Sequence, residues 1–408
     1  MSGYKVPFVS VIIPTYNRRH ILPDSIGSVL NQSYRDFELI IVDDGSDDGT
    51  EEYIESIADD RVRYLKTDRN RGPAAARNLG AREAKGEYLA FHDSDDEWLP
   101  DKLEKQMALL TDEKAEVSMV YCEYSKYNGT DWLIVPPREI PYECKQGDLF
   151  AYLLLQPLIG TPTIVVSREK FFLAGGFNET LQTYEDYEFT LRFAEKYRIG
   201  FVGEALVKVN QSPNSVNKRL DERIRAQFYM LEEMLDALKE KGLLWKKLEL
   251  LLQEAAKLEC YDVFIEELRK LLSGQFDIEA ERERLEALLR ETEQSDERIN
   301  ELKTKVREKL AGLKQQILKV YLGLYGGQEI QAETLPEIGE KIQECVSAVS
   351  AYFVLSPKCL DTCHAFGEKE IPDNKTGQLF WLTEAVGLLE ELEKDGLQMF
   401  VGGCAGNV

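Results

Sequence analysis

Short apolar runs alternate with amphipathic stretches through the first 218 residues, and no other feature restricts the fold so strongly. The apolar runs predict strands at 8–13, 37–42, 62–65, 88–91 and 117–121. Helix-like segments separate them at 22–31, 50–58, 73–84 and 100–110. Because strand and helix alternate, the pattern predicts an α/β domain with a mostly parallel sheet that helices cover on both faces.

From residue 220 onward the pattern changes to long helices. Residues 227–241 and 244–258 carry apolar side chains three and four positions apart, and 278–321 is dense in Glu, Lys, Arg and Leu. The last segment predicts an amphipathic helix or helical hairpin that could form a coiled coil. Eleven of the 14 prolines lie before residue 219. We therefore predict three parts: 1–218, a helical region at 219–325, and a mainly helical region without an assigned role at 326–408.

The composition restricts partners and compartment. A formal net charge of -23 excludes nucleic-acid binding through the general field of the protein. A phosphate-bearing ligand would need a metal ion, a helix N-terminus or individual arginines. The seven cysteines, an odd number, predict free thiols in a reducing compartment. Residues 1–8 hold no apolar stretch long enough for a signal peptide, and no run reaches the ~18 apolar residues that span a bilayer, so we expect neither feature. We expect a cytoplasmic protein, with attachment to the inner face of the membrane left open.

Two carboxylates, Asp43 and Asp44, follow the predicted strand at 37–42, and a glycine turn follows them. In open α/β sheets, ligands bind at the carboxyl ends of strands. Carboxylates at such a position can accept hydrogen bonds from a nucleobase or a ribose. The alternative is a plain turn before a helix, because Asp, Ser and Thr also cap helices.

An acidic cluster follows the predicted strand at 88–91: Asp93, Asp95 and Asp96. Three carboxylates within four residues repel one another unless a cation neutralises them. Mg or Mn takes one or two protein carboxylates together with phosphate oxygens, which suits a nucleoside diphosphate leaving group. The alternative is a solvated acidic turn. His92 directly precedes the cluster, and at a strand end we expect it to pack rather than to ligate a metal.

Two weaker motifs complete the set. Glu185 and Asp186 precede a helix predicted at 189–197, where Asp186 could act as a general base or both could be ordinary first-turn residues. Residues 70–73 end in a proline that begins a helix. A helix N-terminus there could bind an anion with help from Arg71 or Arg77, or the segment could be a simple junction.

Taken together, these motifs resemble glycosyltransferase family 2 over about residues 6–217. The resemblance is carried, in order, by residues 9–17 (VSVIIPTYN), 42–46 (VDDGS), Gly72, 76–78 (ARN), 93–96 (DSDD), Pro100, 102–103 (KL), 175–177 (GGF) and 185–186 (ED). It implies a GT-A fold: one nucleotide-binding α/β domain with a Rossmann-like first half. It also implies transfer, with inversion, from an activated sugar donor to an acceptor hydroxyl.

The resemblance further implies roles by position. It places three residues in the base pocket: Pro14, Thr15 and Tyr16. Asp44 would contact the nucleobase, Asp43 would support the turn, and Arg77 would lie near the nucleotide. Asp93 would sit by the ribose and the metal, Asp95 would be the main ligand of a Mg or Mn ion, and Asp186 would be the catalytic base. Asp96 is expected to play a supporting role.

The chain departs from the family pattern near the end of the domain. Many members carry a basic residue and a histidine close to the diphosphate and metal, but residues 209–215 read VNQSPNS. We therefore expect diphosphate binding to depend more on the metal, or on a cation from elsewhere. Lys208, Lys218 or a group from the second half could supply that charge.

The partners are predicted only as classes. The donor is a nucleotide-sugar, taken to be a UDP-sugar, and the acceptor is a glycan, a lipid-linked sugar or a protein in surface polysaccharide, glycolipid or glycoprotein synthesis. The helical region could form a homo-oligomer or recognise the acceptor. Residues 245–247 (WKK) could touch a membrane. A cluster of Cys359, Cys363 and His364 could bind zinc, although its spacing fits no standard module.

Two other functions remain open. A sugar-phosphate nucleotidyltransferase would also bind a nucleotide and a metal at such a sheet, but it should carry a glycine-rich basic loop where residues 14–17 read PTYN. A non-catalytic nucleotide-sugar-binding module would tolerate the loss of Asp95 or Asp186, and both are present.

Overall fold

The structure, a computed structural model, describes part of the chain. The described residues are 8–127, 131–210, 220–258, 260–274, 276, 278–325, 331, 333–352, 363, 366, 369–372 and 374–395. By compactness the chain divides into Met1–Leu250 and Leu251–Val408, and the two units are described separately. Among the described residues, no helix is long and apolar enough to cross a membrane.

Among the described residues of the first unit, nine strands form one sheet. They are β1 Val9–Thr15, β2 Phe37–Asp43, β3 Val62–Lys66, β4 Tyr88–Phe91, β5 Glu97–Trp98, β6 Met119–Tyr127, β7 Trp132–Val135, β8 Val165–Ser167 and β9 Ile199–Val209. The spatial order is β3-β2-β1-β4-β8-β6-β9-β5, with β7 beside β6. All seven residues of β1 and of β2 are buried, as expected for strands that helices cover on both sides.

The sheet is parallel in its first half and mixed in its second. Strand β1 pairs in parallel with β2 and with β4, and β2 pairs in parallel with β3. Antiparallel pairs with β8 then connect β4 to β6, while β6 and β9 run parallel. The predicted α/β class and mostly parallel N-terminal sheet are confirmed.

Among the described residues, nine helices lie wholly in the first unit, and a tenth begins there and ends beyond Leu250. They are α1 Leu22–Leu30, α2 Thr50–Glu55, α3 Pro73–Glu83, α4 Lys102–Leu110, α5 Phe150–Leu153, α6 Arg168–Leu173, α7 Glu185–Ala194, α8 Leu220–Glu233, α9 Leu235–Glu240 and α10 Leu244–Leu258. Tyr142–Lys145 and Thr161–Thr163 are short 3-10 helices.

Most helix predictions in the first 120 residues agree with the structure to within a few residues. Pro73 lies in the first turn of α3, as predicted, because its missing N–H is not needed there. Pro100 lies outside α4, which begins at Lys102. Helix α7 begins at Glu185, earlier than predicted, so Glu185 and Asp186 belong to its first turn.

The second unit is helical where it is described. Its helices are α11 Tyr261–Ser273, α12 Arg282–Tyr325, α13 Thr334–Tyr352 and α14 Lys375–Asp395. Helix α12 is one continuous helix of 44 residues, which decides between the predicted helix and hairpin. Its apolar side chains Leu310 and Ile317 are fully buried against residues of α13 and α14 such as Ile338 and Leu389. The predicted self-association of this region stays a prediction.

The domain boundary predicted after residue 218 also stays a prediction, although helices α8 and α9 group with the first unit by compactness. Lys247 shows how the start of α10 is held against the preceding part of the first unit. Its Nζ is buried and donates to the Leu155 carbonyl (3.1 Å), the Tyr187 hydroxyl (3.3 Å) and Gln227 Oε1 (3.0 Å). Residues 245–247 therefore cannot offer both lysines to a membrane, because only Lys246 is exposed.

Candidate active site

The carboxyl ends of the parallel strands meet at one edge of the sheet. Thr15, at the end of β1, pairs with Asp43 at the end of β2, and β4 ends on the other side of β1. The chain passes from β1 to β2 on one side and returns to β4 on the other. This is the topological switch point at which open α/β sheets bind ligands. The sequence motifs that follow these three strands are therefore brought together.

A cleft of about 870 Å³ lies at this edge. Its lining includes most of the predicted site residues: Pro14, Thr15, Tyr16, Asp44, Arg77, Asp93, Asp95 and Asp186. The volume lies within the range of small-molecule sites. Asp43 is the predicted site residue that does not line the cleft, because its side chain is buried beneath the loop.

Asp43 holds the turn that follows β2. One carboxylate oxygen accepts a hydrogen bond from the Ser46 amide (2.8 Å), and the other accepts one from the Tyr64 hydroxyl (2.6 Å). The Ser46 hydroxyl in turn accepts from the Asn17 amide (2.9 Å), so the turn is tied to the loop after β1. The geometry gives Asp43 a supporting position behind the cleft wall.

Asp44 holds the loop that leads into α3. Its Oδ2 accepts from the amides of Arg71 (2.8 Å) and Gly72 (2.7 Å), and its Oδ1 accepts from the Thr67 hydroxyl (2.9 Å). The carboxylate thus occupies the N–H groups before the helix that were considered for an external anion. Because each carboxylate oxygen has two lone pairs, a contact to a nucleobase is still compatible with these bonds. The Arg71 side chain is exposed and is not part of the cleft lining.

Thr15 offers a buried polar atom to the cleft. The residue is only 3% exposed, and among the described residues its Oγ1 has no hydrogen-bond partner. An unsatisfied buried hydroxyl is costly, so such an atom in a cleft lining points to a ligand partner. Tyr16 beside it is 45% exposed, with its ring open to the cleft mouth.

Arg77, on α3, joins two acidic motifs that are far apart in sequence. Its Nη2 donates to Asp93 Oδ1 (2.5 Å) and its Nη1 donates to Glu185 Oε1 (2.8 Å). Burial by itself lowers the pKa of the guanidinium, but the two carboxylates outweigh burial and raise that pKa further above its ordinary value. The Phe177 ring lies 5.8 Å away and packs against Phe91 at the end of β4. The two ion pairs of Arg77 therefore fix the position of Asp93 relative to the start of α7.

Asp95 is paired with an arginine that the sequence reasoning did not single out. Arg18, just after the motif at 14–17, brings its Nη1 to 2.6 Å from Asp95 Oδ2 and to 3.4 Å from Ser94 Oγ. Burial and the charge of Asp93 raise the pKa of Asp95, and Arg18 opposes that shift.

Asp96 and His92 support the acidic loop from behind. Asp96 is buried and accepts a hydrogen bond from the Asn210 amide (3.0 Å), which ties the loop to the end of β9. Burial, with the charges of Asp93 and Asp95, raises the pKa of Asp96 well above its ordinary value. His92 is fully buried and packs on the Trp98 ring at 4.6 Å, as expected for a packing residue.

Asp186 lies half-buried in the cleft wall at the start of α7. Its Oδ2 accepts from the amide and the hydroxyl of Thr161 (3.0 Å each), and its Oδ1 accepts from the Tyr187 amide (2.8 Å). Burial and the neighbouring Glu185 carboxylate raise the pKa of Asp186 to about 6, against the Thr161 hydrogen bonds, which lower it. Such a pKa suits a general base near neutral pH.

A further cation reaches the cleft from α8. Arg223 donates to the Tyr184 hydroxyl from Nε (3.1 Å) and from Nη2 (2.7 Å), and both residues line the cleft. Tyr184 precedes α7 with a left-handed φ of 62°, so this contact fixes a strained residue two positions before Asp186. No local pattern in the sequence marks Arg223, since the contact joins residues 39 positions apart.

The two lysines considered as substitutes for the missing basic residue have different outcomes. Lys208, on β9, is 3.8 Å from Glu97 Oε2 and is not part of the cleft lining. Its side chain therefore faces β5 rather than a ligand. Lys218 lies outside the described residues. Besides Arg77, the structure places Arg18, Lys126 and Arg223 in the lining of the cleft.

The carboxylates in the cleft could hold a divalent cation only if further ligands came from a bound molecule. Among the described residues, no group of three or more His, Cys, Asp or Glu side chains is arranged to hold a metal. Asp93 and Asp95 both line the cleft, and an arginine engages one oxygen of each. Two carboxylates plus the oxygens of a bound diphosphate form a usual set for Mg or Mn. The site therefore fits a metal ion for which a bound nucleotide supplies the remaining oxygen ligands.

The predicted cluster of Cys359, Cys363 and His364 falls partly outside the described residues. Cys363 is buried in the apolar core of the second unit, while Cys359 and His364 are not described. The cysteines that the structure describes carry free thiols, namely Cys122, Cys144, Cys260, Cys345 and Cys363.

Comparison with known proteins decides the family. The family model for Glycosyl transferase family 2 matches residues 10–197. WfgD of Escherichia coli, a UDP-Glc:alpha-D-GlcNAc-diphosphoundecaprenol beta-1,3-glucosyltransferase, is 30% identical over 232 residues, which make up 56% of this chain and 87% of WfgD. The chain belongs to glycosyltransferase family 2. Membership in this glycosyltransferase family disfavours the nucleotidyltransferase alternative.

A second relative is TuaG of Bacillus subtilis, a glycosyltransferase named for teichuronic acid biosynthesis. It is 37% identical over 174 residues, which cover 42% of this chain and 66% of TuaG. Among solved structures, residues 1–349 of S. aureus TarS in complex with UDP-GlcNAc match with a TM-score of 0.55 at 21% identity, over 71% of this chain and 88% of that one. This likeness confirms the GT-A-like fold expected of a family 2 enzyme.

Proposed function

We propose that this family 2 enzyme transfers a sugar from a UDP-sugar, with inversion and with the help of Mg or Mn, to a hydroxyl of a lipid-linked saccharide. The setting that we propose is surface polysaccharide synthesis at the cytoplasmic face of the membrane. The relatives support this choice, because the name of WfgD specifies a diphosphoundecaprenol-linked acceptor and TuaG is named for teichuronic acid biosynthesis.

One observation carries the proposal: a carboxylate suited to accept a proton lies in the same cleft as the acidic motif. Asp186 has a pKa raised to about 6, and Asp93 and Asp95 line the same cleft. A binding module has no need for a base at this place. An inverting transferase needs one general base on the acceptor side and one means of neutralising the leaving group.

The reaction then follows from the positions of the side chains. Asp186 accepts the proton of the acceptor hydroxyl as its oxygen attacks the anomeric carbon of the donor sugar. The bond from that carbon to the β-phosphate oxygen breaks, and the electron pair leaves with the nucleoside diphosphate. Thr161 keeps Asp186 oriented through its two hydrogen bonds (3.0 Å each). A single displacement of this kind inverts the configuration and needs no covalent nucleophile.

Two groups of residues would hold the donor. Asp93 and Asp95 would hold the metal, which neutralises the charge that develops on the leaving diphosphate. The nucleobase of the donor would be held by Pro14, Thr15 and Tyr16. The unsatisfied Thr15 hydroxyl supports this placement. Asp44 would act mainly by fixing the loop at Arg71 and Gly72 around the nucleotide.

A donor panel tests the proposed function. The full chain is incubated with UDP-, GDP- and dTDP-sugars, with Mn²⁺ or with EDTA, and the release of nucleoside diphosphate is measured. We expect release from one or more UDP-sugars in Mn²⁺, and its loss in EDTA. The acceptor is then identified by mass analysis of lipid-linked saccharides incubated with that donor.

Two substitutions control the panel. Asp186→Asn should lower turnover by about 10²- to 10⁴-fold while donor binding is retained. Asp47→Asn, an exposed carboxylate outside the cleft lining, should leave turnover unchanged. If the chain binds UDP-sugars but releases no nucleoside diphosphate with any acceptor, the non-catalytic binding module is the correct alternative.

A further inference from the structure

Asp93 and Asp95 face the cleft, and each of them pairs with a different arginine. The two arginines differ in burial and in the number of carboxylates that they contact. Arg77 is 5% exposed, comes from a helix and contacts both Asp93 and Glu185. Arg18 is 23% exposed, comes from a loop and contacts Asp95, which is 16% exposed. A buried arginine with two carboxylates is costly to move, whereas a partly exposed ion pair contributes little stability and exchanges readily.

The backbone on both sides of Arg18 is held in place. The Asn17 amide donates to Ser46 Oγ (2.9 Å), and Asn17 Oδ1 accepts from the Asp47 amide (3.0 Å). On the other side, the Arg19 amide donates to Asp48 Oδ2 (2.8 Å). The guanidinium of Arg18 can therefore leave Asp95 by rotation of its side chain alone, while its Cα stays beside the cleft.

We infer that Arg18 is an exchangeable counterion, which pairs with Asp95 in the free enzyme and with the donor diphosphate when a divalent cation binds Asp95. The inference rests on the proposed function. A metal at Asp95 competes with the guanidinium for that carboxylate, because Arg18 Nη1 already lies 2.6 Å from Asp95 Oδ2 and two cations at one carboxylate repel each other. Once displaced, Arg18 lies close to a second cation, which is unfavourable unless an anion neutralises both.

The diphosphate of the donor supplies that anion. Its oxygens complete the coordination of the metal and also accept hydrogen bonds from the guanidinium. Arg18 therefore opposes the binding of metal alone and favours the binding of metal and nucleotide together. The coupling is reciprocal, since each ligand must raise the affinity of the other by the same factor.

Mn²⁺ binding to the full chain tests this role without turnover. Free Mn²⁺ is measured by electron paramagnetic resonance during titration, with and without saturating UDP. For Arg18→Gln, we expect Mn²⁺ alone to bind about fivefold more tightly than to the unmodified chain, as removal of a competing ion pair predicts. We also expect the gain in Mn²⁺ affinity that UDP produces to shrink by at least the same factor.

The neighbouring arginine provides a matched control. Arg19→Gln removes the same charge one position away, but the Arg19 side chain lies over the Tyr53 ring (4.0 Å) and is not part of the cleft lining. It should leave both Mn²⁺ affinities unchanged. Adding Asp95→Asn to Arg18→Gln should remove the tighter binding of Mn²⁺ alone, because the inference assigns that effect to the freed carboxylate.

If Arg18→Gln proves unstable by thermal unfolding, Arg18→Lys provides the same comparison, with a shift in the same direction but smaller. The inference is wrong if either variant binds Mn²⁺ alone with unchanged or weaker affinity, or if Arg19→Gln has an equal effect. Release of nucleoside diphosphate is scored separately. Metal-dependent release with no effect of Arg18 rejects this inference alone, whereas the absence of release from every donor rejects the proposed function.

Discussion

At the scale of single residues, the surroundings decide what each carboxylate can do. Asp186 and Asp43 are both buried or half-buried aspartates at the edge of the sheet, yet only Asp186 faces the cleft. The pKa of Asp186 is raised to about 6 by burial and by Glu185. The pKa of Asp186 is higher in the folded chain than in the unfolded one. Its contribution to the free energy of unfolding is therefore fully present below about pH 4 and is lost as pH rises through 6. The ionised base is thus kept at a cost in stability.

The pH dependence of turnover is the first prediction at this scale. As a general base, Asp186 must be deprotonated, so kcat/KM should increase with pH through a midpoint near 6 and level off above it. The measurement is an initial-rate profile from pH 5 to 8 with the donor found in the panel. In Asp186→Asn, the residual rate should show no such increase. A rate that is independent of pH across this range in the unmodified enzyme would rule out Asp186 as the base.

At the scale of elements, a loop held by Asp44 joins β3 to α3 and forms part of the cleft. Gly72, the residue before α3, has φ 92° and ψ 162°, a region that is nearly restricted to glycine. A Cβ added there would have no neighbour within 4 Å. The backbone angle, rather than a close contact, is therefore what requires glycine at this position.

Gly72→Ala tests that reason. We expect it to lower the free energy of unfolding by about 1–3 kcal/mol, because alanine is strained in this region whatever the space around it. Gly27→Ala is the control. Gly27 lies within α1 and also has open space at its Cβ, so there the substitution should stabilise the protein by about 0.5–1 kcal/mol. Chemical denaturation of both variants gives the comparison, and equal effects would contradict it.

At the scale of the whole molecule, α8, α9 and the first half of α10 belong to the first unit, although they follow the region that resembles the family. Arg223 on α8 fixes Tyr184, and Tyr229 on the same helix lies 3.3 Å from Asn178. Lys247 on α10 reaches Tyr187 and Leu155. Fully buried side chains such as Phe228 belong to these helices as well. The cleft wall that carries Asp186 is therefore braced from outside the family 2 motif region.

Two shortened chains test this dependence. A chain that ends at Leu258 keeps α10 whole, and we expect it to unfold cooperatively and to bind UDP with Mn²⁺. A chain that ends at residue 218 loses Arg223, Lys247 and the apolar side chains of three helices, so we expect it to aggregate or to unfold without a cooperative transition. Circular dichroism during thermal unfolding provides the measurement. Equal transition temperatures for the two chains would instead place the domain boundary at 218.

The sequence by itself predicted five of the nine described strands (β1 to β4 and β6), the first helices and the order of the motifs. These depend on local patterns, such as the apolar run of β2 that ends in Asp43 and the proline that starts α3. Because parallel strands bring their carboxyl ends to one edge, the grouping of Asp44, Asp93 and Thr15 could also be predicted. The family resemblance rests on the same local motifs.

Only the tertiary structure decided which charges meet. Arg77 bridges Asp93 and Glu185, Arg18 pairs with Asp95, and Lys208 faces Glu97 rather than the cleft. Arg77 and Glu185 are 108 positions apart, and no local pattern carries information about a partner at such a distance. The acidic cluster predicted that positive charge would lie beside it, and the fold places the side chains of Arg18 and Arg77 there. That choice follows from how loops and helices pack around the sheet, a property that no segment of the sequence carries alone.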